Sequence, residues 1–488
     1  MLCLVLLIPG VTGKFLRWGA AVCLAAGMIF KLADMATYQV FARPFNPIFD
    51  AYLLVNGMHL LNGALGKFKA LIFLLLLVAF AVSLILLTFW ALGRIASALG
   101  SAPRYANKIL LAGFVLASVF LWLGWERVVV RFSDLMATHW SDTLASLHEL
   151  KNFRQQVDLD TATKISNEHL FTKLKGKDVL LVFIESYGRT VLERPEFAEH
   201  MQPLLQTANE KLNANGFSAR SAYLTSPTFG GLSWLAHGTT LSGLWINSQV
   251  RYDGLIMSQR ESLNRLFKRA GWRTAAVMPA ISMAWPEGKY FGYDQIYAAR
   301  DLGYKGKPFN WVTMPDQYTL AAFQARERQP GHAPVMTEIA LISSHAPWTP
   351  VPRLVDWNQV GDGRIFNSQA ESGDAPDVVW QDTDRIRDQY RQSIEYALST
   401  LVSYATTYGD DNLVILALGD HQPAPIVTGS TQNRDVIVHL IARDPKIMEA
   451  VTEWKWSDGM LPAAKAPVWR MDEVRDRLIE TFSSSMSQ

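Results

Sequence analysis

Glu185, Ser233, His345 and the adjacent pair Asp420–His421 are the residues of this 488-residue chain whose types and settings could do chemistry together. Glu185 follows the apolar run that opens DVLLVFIESYGRT (Asp178–Thr190). So short a run of Val, Leu, Ile and Phe predicts a central parallel strand, and open α/β sheets bind ligands just beyond the carboxyl ends of such strands. Alone, Glu185 reads as a capping carboxylate. Ser233 lies in SPTFGGLSWLAH (Ser226–His237), a Gly-Gly turn opening into a helix. A hydroxyl there sits among free N–H groups and a positive dipole end, where an anion is stabilised; taken singly it reads as an N-cap. His345 stands in SSHAP (Ser343–Pro347), and LVILALGDHQP (Leu413–Pro423) is an apolar strand ending in Asp420 and His421. Carboxylate oxygen beside imidazole nitrogen suits zinc or manganese. Three strands ending in such groups, with a hydroxyl on a helix start between them, converge on one edge of a parallel sheet.

The elements that must hold these residues are legible from about residue 175 onward, where strand-like and helix-like segments alternate as in an α/β sheet. Strands are predicted over Val179–Ile184, Thr274–Met278, Val335–Ser343, Leu413–Leu418 and Val436–Ile441, and helices over Ser233–Leu241, Arg260–Ala270 and Arg385–Thr407. In the last, Ile386, Tyr390, Ile394, Leu398 and Leu401 recur at helical spacing and mark a core face. Gly361–Asp377 is polar and reads as a surface insertion. His439, within an apolar strand, reads as a packed core histidine.

Hydrophobic residues make up 49% of the chain, and the excess lies near the N-terminus. Ala70–Gly93 is uncharged and long enough to span a bilayer. Ile109–Trp125 is a second span, and Phe15–Ala33 a third, with Arg17 and Lys31 near its ends where they can snorkel. Ala51–Gly66 and Met1–Gly10 are weaker segments. Successive apolar segments argue against a cleaved signal peptide and predict a multi-pass membrane protein. The connection Arg94–Lys108 holds Arg94, Arg104 and Lys108 and no acidic residue, which favours the cytoplasmic side and places everything after about residue 130 outside. Residues 1–130 are thus expected to be a transmembrane helical anchor, 131–174 a helical connector and 175–488 an exported domain. A net charge of +2 gives no indication of a nucleic-acid partner. Cys3 and Cys23 both fall in the anchor, so the exported region has no disulfide and relies on its core.

The order strand-Glu185-Ser186, Gly-rich turn and Ser233, Ser-His345-Ala-Pro, then strand-Gly-Asp420-His421 resembles the alkaline phosphatase/sulfatase superfamily. Within it the chain is similar to the membrane-anchored lipoteichoic acid synthase and phosphoglycerol transferase branch. SLNRLFKRAGWRT (Ser262–Thr274) resembles a further passage of the superfamily. The resemblance covers most of 175–445. It implies an N-terminal α-helical transmembrane anchor followed by an α/β sulfatase-like (alkaline phosphatase-like) domain with a mostly parallel central sheet. It also implies one divalent metal ion, manganese or zinc with magnesium a further option, bound by Glu185, Ser233, Asp420 and His421. Ser233 matches the nucleophile, Thr in the best-known members, and His345 a catalytic histidine at the substrate phosphate. Trp285 in MAWPEGKYFGYD matches a tryptophan near the substrate, and Glu287 stands where an arginine follows it, leaving Lys289 or Arg189 to contact the phosphate.

The implied activity is transfer of a phosphoglycerol- or phosphoethanolamine-type group from a membrane lipid donor to an envelope glycolipid or glycan acceptor, through a phospho-serine. The enzyme would sit in the inner (cytoplasmic) membrane with its catalytic domain on the periplasmic or extracellular side. Disulfide-rich domains characterise the lipid A phosphoethanolamine transferases, so a cysteine-free domain favours the phosphoglycerol side. The alternatives are a sulfuric-ester or phosphodiester hydrolase of the same superfamily, and a metal-free binding module. Formylglycine sulfatases resemble a pattern with Pro two and Arg four residues after the nucleophile; Ser233 is followed there by Leu235 and His237.

Overall fold

The computed structural model describes residues 8, 10–41, 44–47, 50, 67–101 and 132–484. The chain forms two compact units, Met1–Tyr38 with Arg43–Glu149, and Gln39–Ala42 with Leu150–Gln488. In the first, helices α1 (Gly10–Phe41) and α2 (Lys67–Ser101) are long and apolar enough to cross a membrane. A helix at the centre of a soluble protein hides its leucines. In α2, Leu75, Leu76, Leu77, Phe80 and Trp90 are all exposed, which suits a hydrocarbon solvent. The predicted spans Phe15–Ala33 and Ala70–Gly93 fall within these two helices. Arg94, expected in a connection, is still inside α2. The segments Ala51–Gly66 and Ile109–Trp125, and Met1–Gly10 apart from residues 8 and 10, lie outside the described residues.

Helix α3 (Phe132–Asp158) occupies the predicted connector, and its last turns bury Phe153 and Val157. Asp160 then pairs with the fully buried Arg475 at 2.7 Å, on the C-terminal helix α9 (Val474–Phe482). Phe153, Val157 and Asp160 are therefore part of the second unit's core.

That unit is built on one mixed sheet in the order β4-β3-β5-β1-β6-β7-β2-β8, with β9 also pairing β2. Its strands are β1 (Asp178–Ile184), β2 (Ser218–Thr225), β3 (Arg273–Met278), β4 (Gln295–Ala298), β5 (Val335–Leu341), β6 (Leu413–Gly419), β7 (Asp435–Ala442), β8 (Ser457–Asp458) and β9 (Val468–Arg470). The five strands from β4 to β6 run parallel, and β7 then pairs antiparallel with both β6 and β2. Every residue of β1 and β6 is buried, which is why both read as unbroken apolar runs. All five predicted strands are present. Strand β5 stops at Leu341, two residues short of the prediction, because the Asp316 carboxylate takes the amides of Ile342 and Ser343 that would have continued it. β2 went unpredicted because SARSAYLT has no apolar run; it is held instead by pairing with β7, β8 and β9.

Around the sheet lie α4 (Pro195–Ala214), α5 (Ser233–Ser242), α6 (Leu263–Arg269), α7 (Asp316–Glu327) and α8 (Thr383–Tyr408). The stripe of α8, from Ile386 to Leu401, is buried as its spacing predicts. Helix α6 starts later than predicted because Ser262 caps it, accepting from the amide of Arg265. Gly361–Asp377 is not merely a surface excursion: it contains short helical turns and buries Phe366 and Gln369.

Gly419 closes β6 for a steric reason. A Cβ there would lie 2.1 Å from the carbonyl oxygen of Tyr187, so backbone meets backbone with no room for a side chain. Gly419→Ala is expected to lower stability by about 1–3 kcal/mol through overpacking. An unchanged thermal unfolding midpoint would refute that reading of the contact.

Candidate metal centre

The register of three strands creates the site. Ile184 of β1 is aligned with Leu341 of β5 and Gly419 of β6. The residues that follow, Glu185, Ile342–His345 and Asp420–His421, therefore leave the sheet side by side. Ser186 turns the chain at a φ of 58°, a left-handed conformation that is costly for a residue with a Cβ. That turn lets one residue fix two carboxylates. The Ser186 amide donates to Asp420 Oδ1 at 2.8 Å, and its hydroxyl donates to Glu185 Oε1 at 2.8 Å. The amide of His421 also donates to Asp420 Oδ1, at 2.7 Å, which leaves Oδ2 toward the centre. His421 Nδ1 donates to the carbonyl of Gln422 at 2.8 Å, so Nε2 is the nitrogen free to face the carboxylates.

Ser233 reaches the same place from the other side. Gly230, Gly231 and Leu232 carry positive φ values of 70°, 149° and 66°, a backbone excursion that the Gly-Gly pair makes possible. It delivers Ser233 as the first residue of α5, with no side-chain cap from Leu232. Ser233 Oγ lies 3.1 Å from Glu185 Oε2 and 3.2 Å from His421 Nε2. His421 Nε2 is 3.3 Å from Glu185 Oε1 and 3.7 Å from Asp420 Oδ2. Ligand atoms about 2.0–2.2 Å from a tetrahedral zinc stand about 3.3–3.6 Å apart, so the spacing fits a divalent ion. One ligand atom from each of Glu185, Asp420 and His421 lies within 4.8 Å of the others, and all three residues are buried.

The electrostatics agree. Burial pushes the Asp420 carboxyl up, the neighbouring Glu185 pushes it further, and it reaches about 6. Burial would lower His421, but Asp420 and Glu185 overcome it and hold the imidazole at about 9. Burial would likewise raise Glu185, yet His421 beside it holds that carboxyl well below its usual range. Two buried carboxylates at this separation call for a cation. Protonated His421 is the one the chain itself provides.

The other predicted residues fall as follows. His345 is exposed at the rim, its Nδ1 bonded to the carbonyl of Ala346 at 2.6 Å, and its charge acts on Glu185. Trp285 is half-buried against Phe291 and Tyr293. Lys289 is exposed, and its side chain has no ion pair among the described residues. Arg189 pairs with Asp435 and Glu193 and lies over the ring of Tyr223, rather than contacting any of the four central residues. His439 is fully buried, bonded through both nitrogens to Tyr187 Oη and Ser221 Oγ, and burial lowers it to about 3. The sequence reading missed Ser186, His237 and Glu338. Position could have revealed His237, four residues after Ser233, and Glu338, a lone carboxylate inside an apolar strand.

The sulfatase family model, described as "Sulfatase", matches residues 177–438, more than half of the chain. No curated protein matches the sequence. Among solved structures, the lipoteichoic acid synthase LtaP of Listeria monocytogenes superposes with a TM-score of 0.43 at 13% identity, over 69% of this chain and 79% of its own. The lipooligosaccharide phosphoethanolamine transferase A of Neisseria meningitidis gives 0.45 at 12% identity, over 97% and 87%. The phosphoglycerol transferase GacH of Streptococcus pyogenes, bound to sn-glycerol-1-phosphate, gives 0.42 at 12%, over 68% and 81%.

Proposed function

The chain belongs to the sulfatase family, and we propose that it transfers a phosphoglycerol- or phosphoethanolamine-type group from a membrane lipid donor to an envelope glycolipid or glycan. The observation that carries this reading is the Ser233 hydroxyl at a helix start, within 3.2 Å of two of the three residues suited to hold a metal. A manganese or zinc ion held by Glu185, Ser233, Asp420 and His421 would lower the hydroxyl's pKa and offset charge on the phosphoryl oxygens.

The chain's own residues do the rest. Ser233 Oγ, its proton already passed to solvent, bonds to phosphorus as the alkoxide that is regenerated at the end of each cycle, and the bond from phosphorus to the lipid alcohol breaks. That alcohol takes a proton from His345, whose place at the open rim suits a group that must meet two different substrates. The acceptor hydroxyl then attacks phosphorus, gives its proton to His345 and frees Ser233. First-turn amides of α5 face the negative oxygens throughout. Trp285 and Lys289 would hold the donor's head group; Arg189, already paired, is the weaker candidate for that contact.

In this reading residues 175–488 are the catalytic domain, 131–174 the connector, and 1–130 a multi-pass anchor in the inner membrane, with the catalytic domain outside. A membrane anchor keeps such a site near a lipid donor. Mass spectrometry of envelope glycolipids and glycans from cells with and without the protein tests the proposal. Loss of a phosphoglycerol or phosphoethanolamine substituent is expected on deletion. Accumulation of a sulfate ester with all phosphate substituents intact would overturn it.

A further inference from the structure

Glu338 is a carboxylate in the interior of β5, 1% exposed, and the metal cluster does not use it. A charge buried in a sheet is expensive unless it is paired. Its Oε1 is 2.6 Å from His237 Nδ1, and its Oε2 accepts from the Tyr293 hydroxyl. Both oxygens are therefore engaged. Since a carboxylate between two donors only accepts, Nδ1 must carry a proton, and the ring's orientation is set. The imidazole is further stacked on Phe183, with centroids 3.7 Å apart and planes at 15°. Phe183 is two residues before Glu185, and His237 is one helical turn beyond Ser233. Positions i and i+2 of a strand, like i and i+4 of a helix, share a face. The His237 ring thus belongs to the face of α5 that carries Ser233.

His439 shows what a purely structural histidine looks like in this fold: completely buried, with both nitrogens bonded. His237 differs on both counts. Its side chain keeps 13% exposure. With Nδ1 bonded and one face stacked, the Nε2 edge is the open part of the ring, and Nε2 has no hydrogen bond among the described residues. A histidine so firmly aimed, yet satisfied at one nitrogen only, is built to meet something that is not protein.

We propose that His237 is a catalytic residue of the Ser233 site: protonated on both nitrogens, it keeps its Nδ1 bond to Glu338 and donates through Nε2 to a non-bridging oxygen of the phosphoryl group as that group moves to and from Ser233. Glu338 and Tyr293 are positioning residues that hold the ring for this task. The inference rests on the proposed phosphoryl transfer. Aromatic contact between Tyr293 and Trp285 also links the ring's support to the expected substrate tryptophan.

The test uses the full-length protein in detergent, loaded with manganese, and a chromogenic phosphodiester as substrate. His237→Ala is expected to lower kcat by about 10²–10³-fold with KM little changed, the loss typical of one oriented donor. Added imidazole should restore part of that rate, which a structural histidine would not show. Glu338→Gln should lower kcat by about 10–100-fold, as for other groups that orient a functional histidine, without imidazole rescue. If His237→Ala fails to fold, His237→Gln is measured instead, with the same expected fall in kcat. Wild-type kcat in the folded variant overturns the inference, and so does loss of bound metal, which would make His237 a ligand. Ser233→Ala is run in parallel: activity surviving there defeats the transfer reading itself, whereas a dead Ser233→Ala beside a fully active His237 variant defeats only this inference.

Discussion

Ser233→Ala is expected to abolish turnover, with a fall in kcat of at least about 10⁴-fold, the scale seen when a covalent nucleophile is removed. The fold should survive the change. Ser233 contributes no side-chain cap to α5, and the helix is entered through the backbone excursion at Gly230–Leu232. The hydroxyl's two contacts, with Glu185 Oε2 and His421 Nε2, belong to the metal cluster. Wild-type protein quenched during turnover should carry a phosphoglycerol or phosphoethanolamine ester on Ser233 by peptide mass spectrometry, and the alanine variant should carry none. Ser233→Thr should keep substantial activity, because the hydroxyl stays at the same helix start. Full activity in Ser233→Ala, or the transferred group trapped on another residue, would remove Ser233 from the mechanism.

The second large effect is the pH dependence of metal affinity. Without metal, His421 holds a proton up to about pH 9 because Asp420 and Glu185 surround it. Metal binding through Nε2 must displace that proton. Affinity should therefore rise with pH and level off near 9, with a slope of about tenfold per unit for one displaced proton. Below about pH 6, where Asp420 also takes up a proton, the slope should steepen toward two. Between pH 6.5 and 8.5 the expected gain is about 100-fold. Competition of manganese or zinc with a chelator of known affinity, in buffers spanning that range, measures it directly. Affinity that stays flat across those two units would mean that His421 is not a ligand. Asp420→Asn should weaken binding at every pH and remove the steeper region below 6.

The two predictions rest on features that were unequally visible before the fold was known. The strands β1 and β6 announce themselves because they are buried on both faces, so their sequences are apolar throughout and their polar ends stand out. Glu185, Asp420 and His421 are conspicuous for that reason. Helix α5 was legible from its Gly-Gly entry, and α8 from its stripe. Ser186 was not, since its role depends on a left-handed backbone that lets one residue bond both Glu185 and Asp420. Arg189 had the right charge and nearness in sequence, yet the fold places Asp435, Glu193 and Tyr223 around it. Glu338 and His237 are 101 residues apart, and no local pattern connects them.

By itself, then, the sequence determined which residues have chemistry to offer and that an α/β sheet would carry them, because burial and periodicity are properties of short segments. It also determined the apolar character of α1 and α2, which is a matter of composition. Only the tertiary structure decided which offers are taken up. Register among β5, β1 and β6 set Glu185 beside Asp420 and His421, and the turn before α5 brought Ser233 to within 3.2 Å of Glu185 and His421. Those contacts join residues 48 and 188 positions apart. Their distances are fixed by packing between elements, which no single segment encodes.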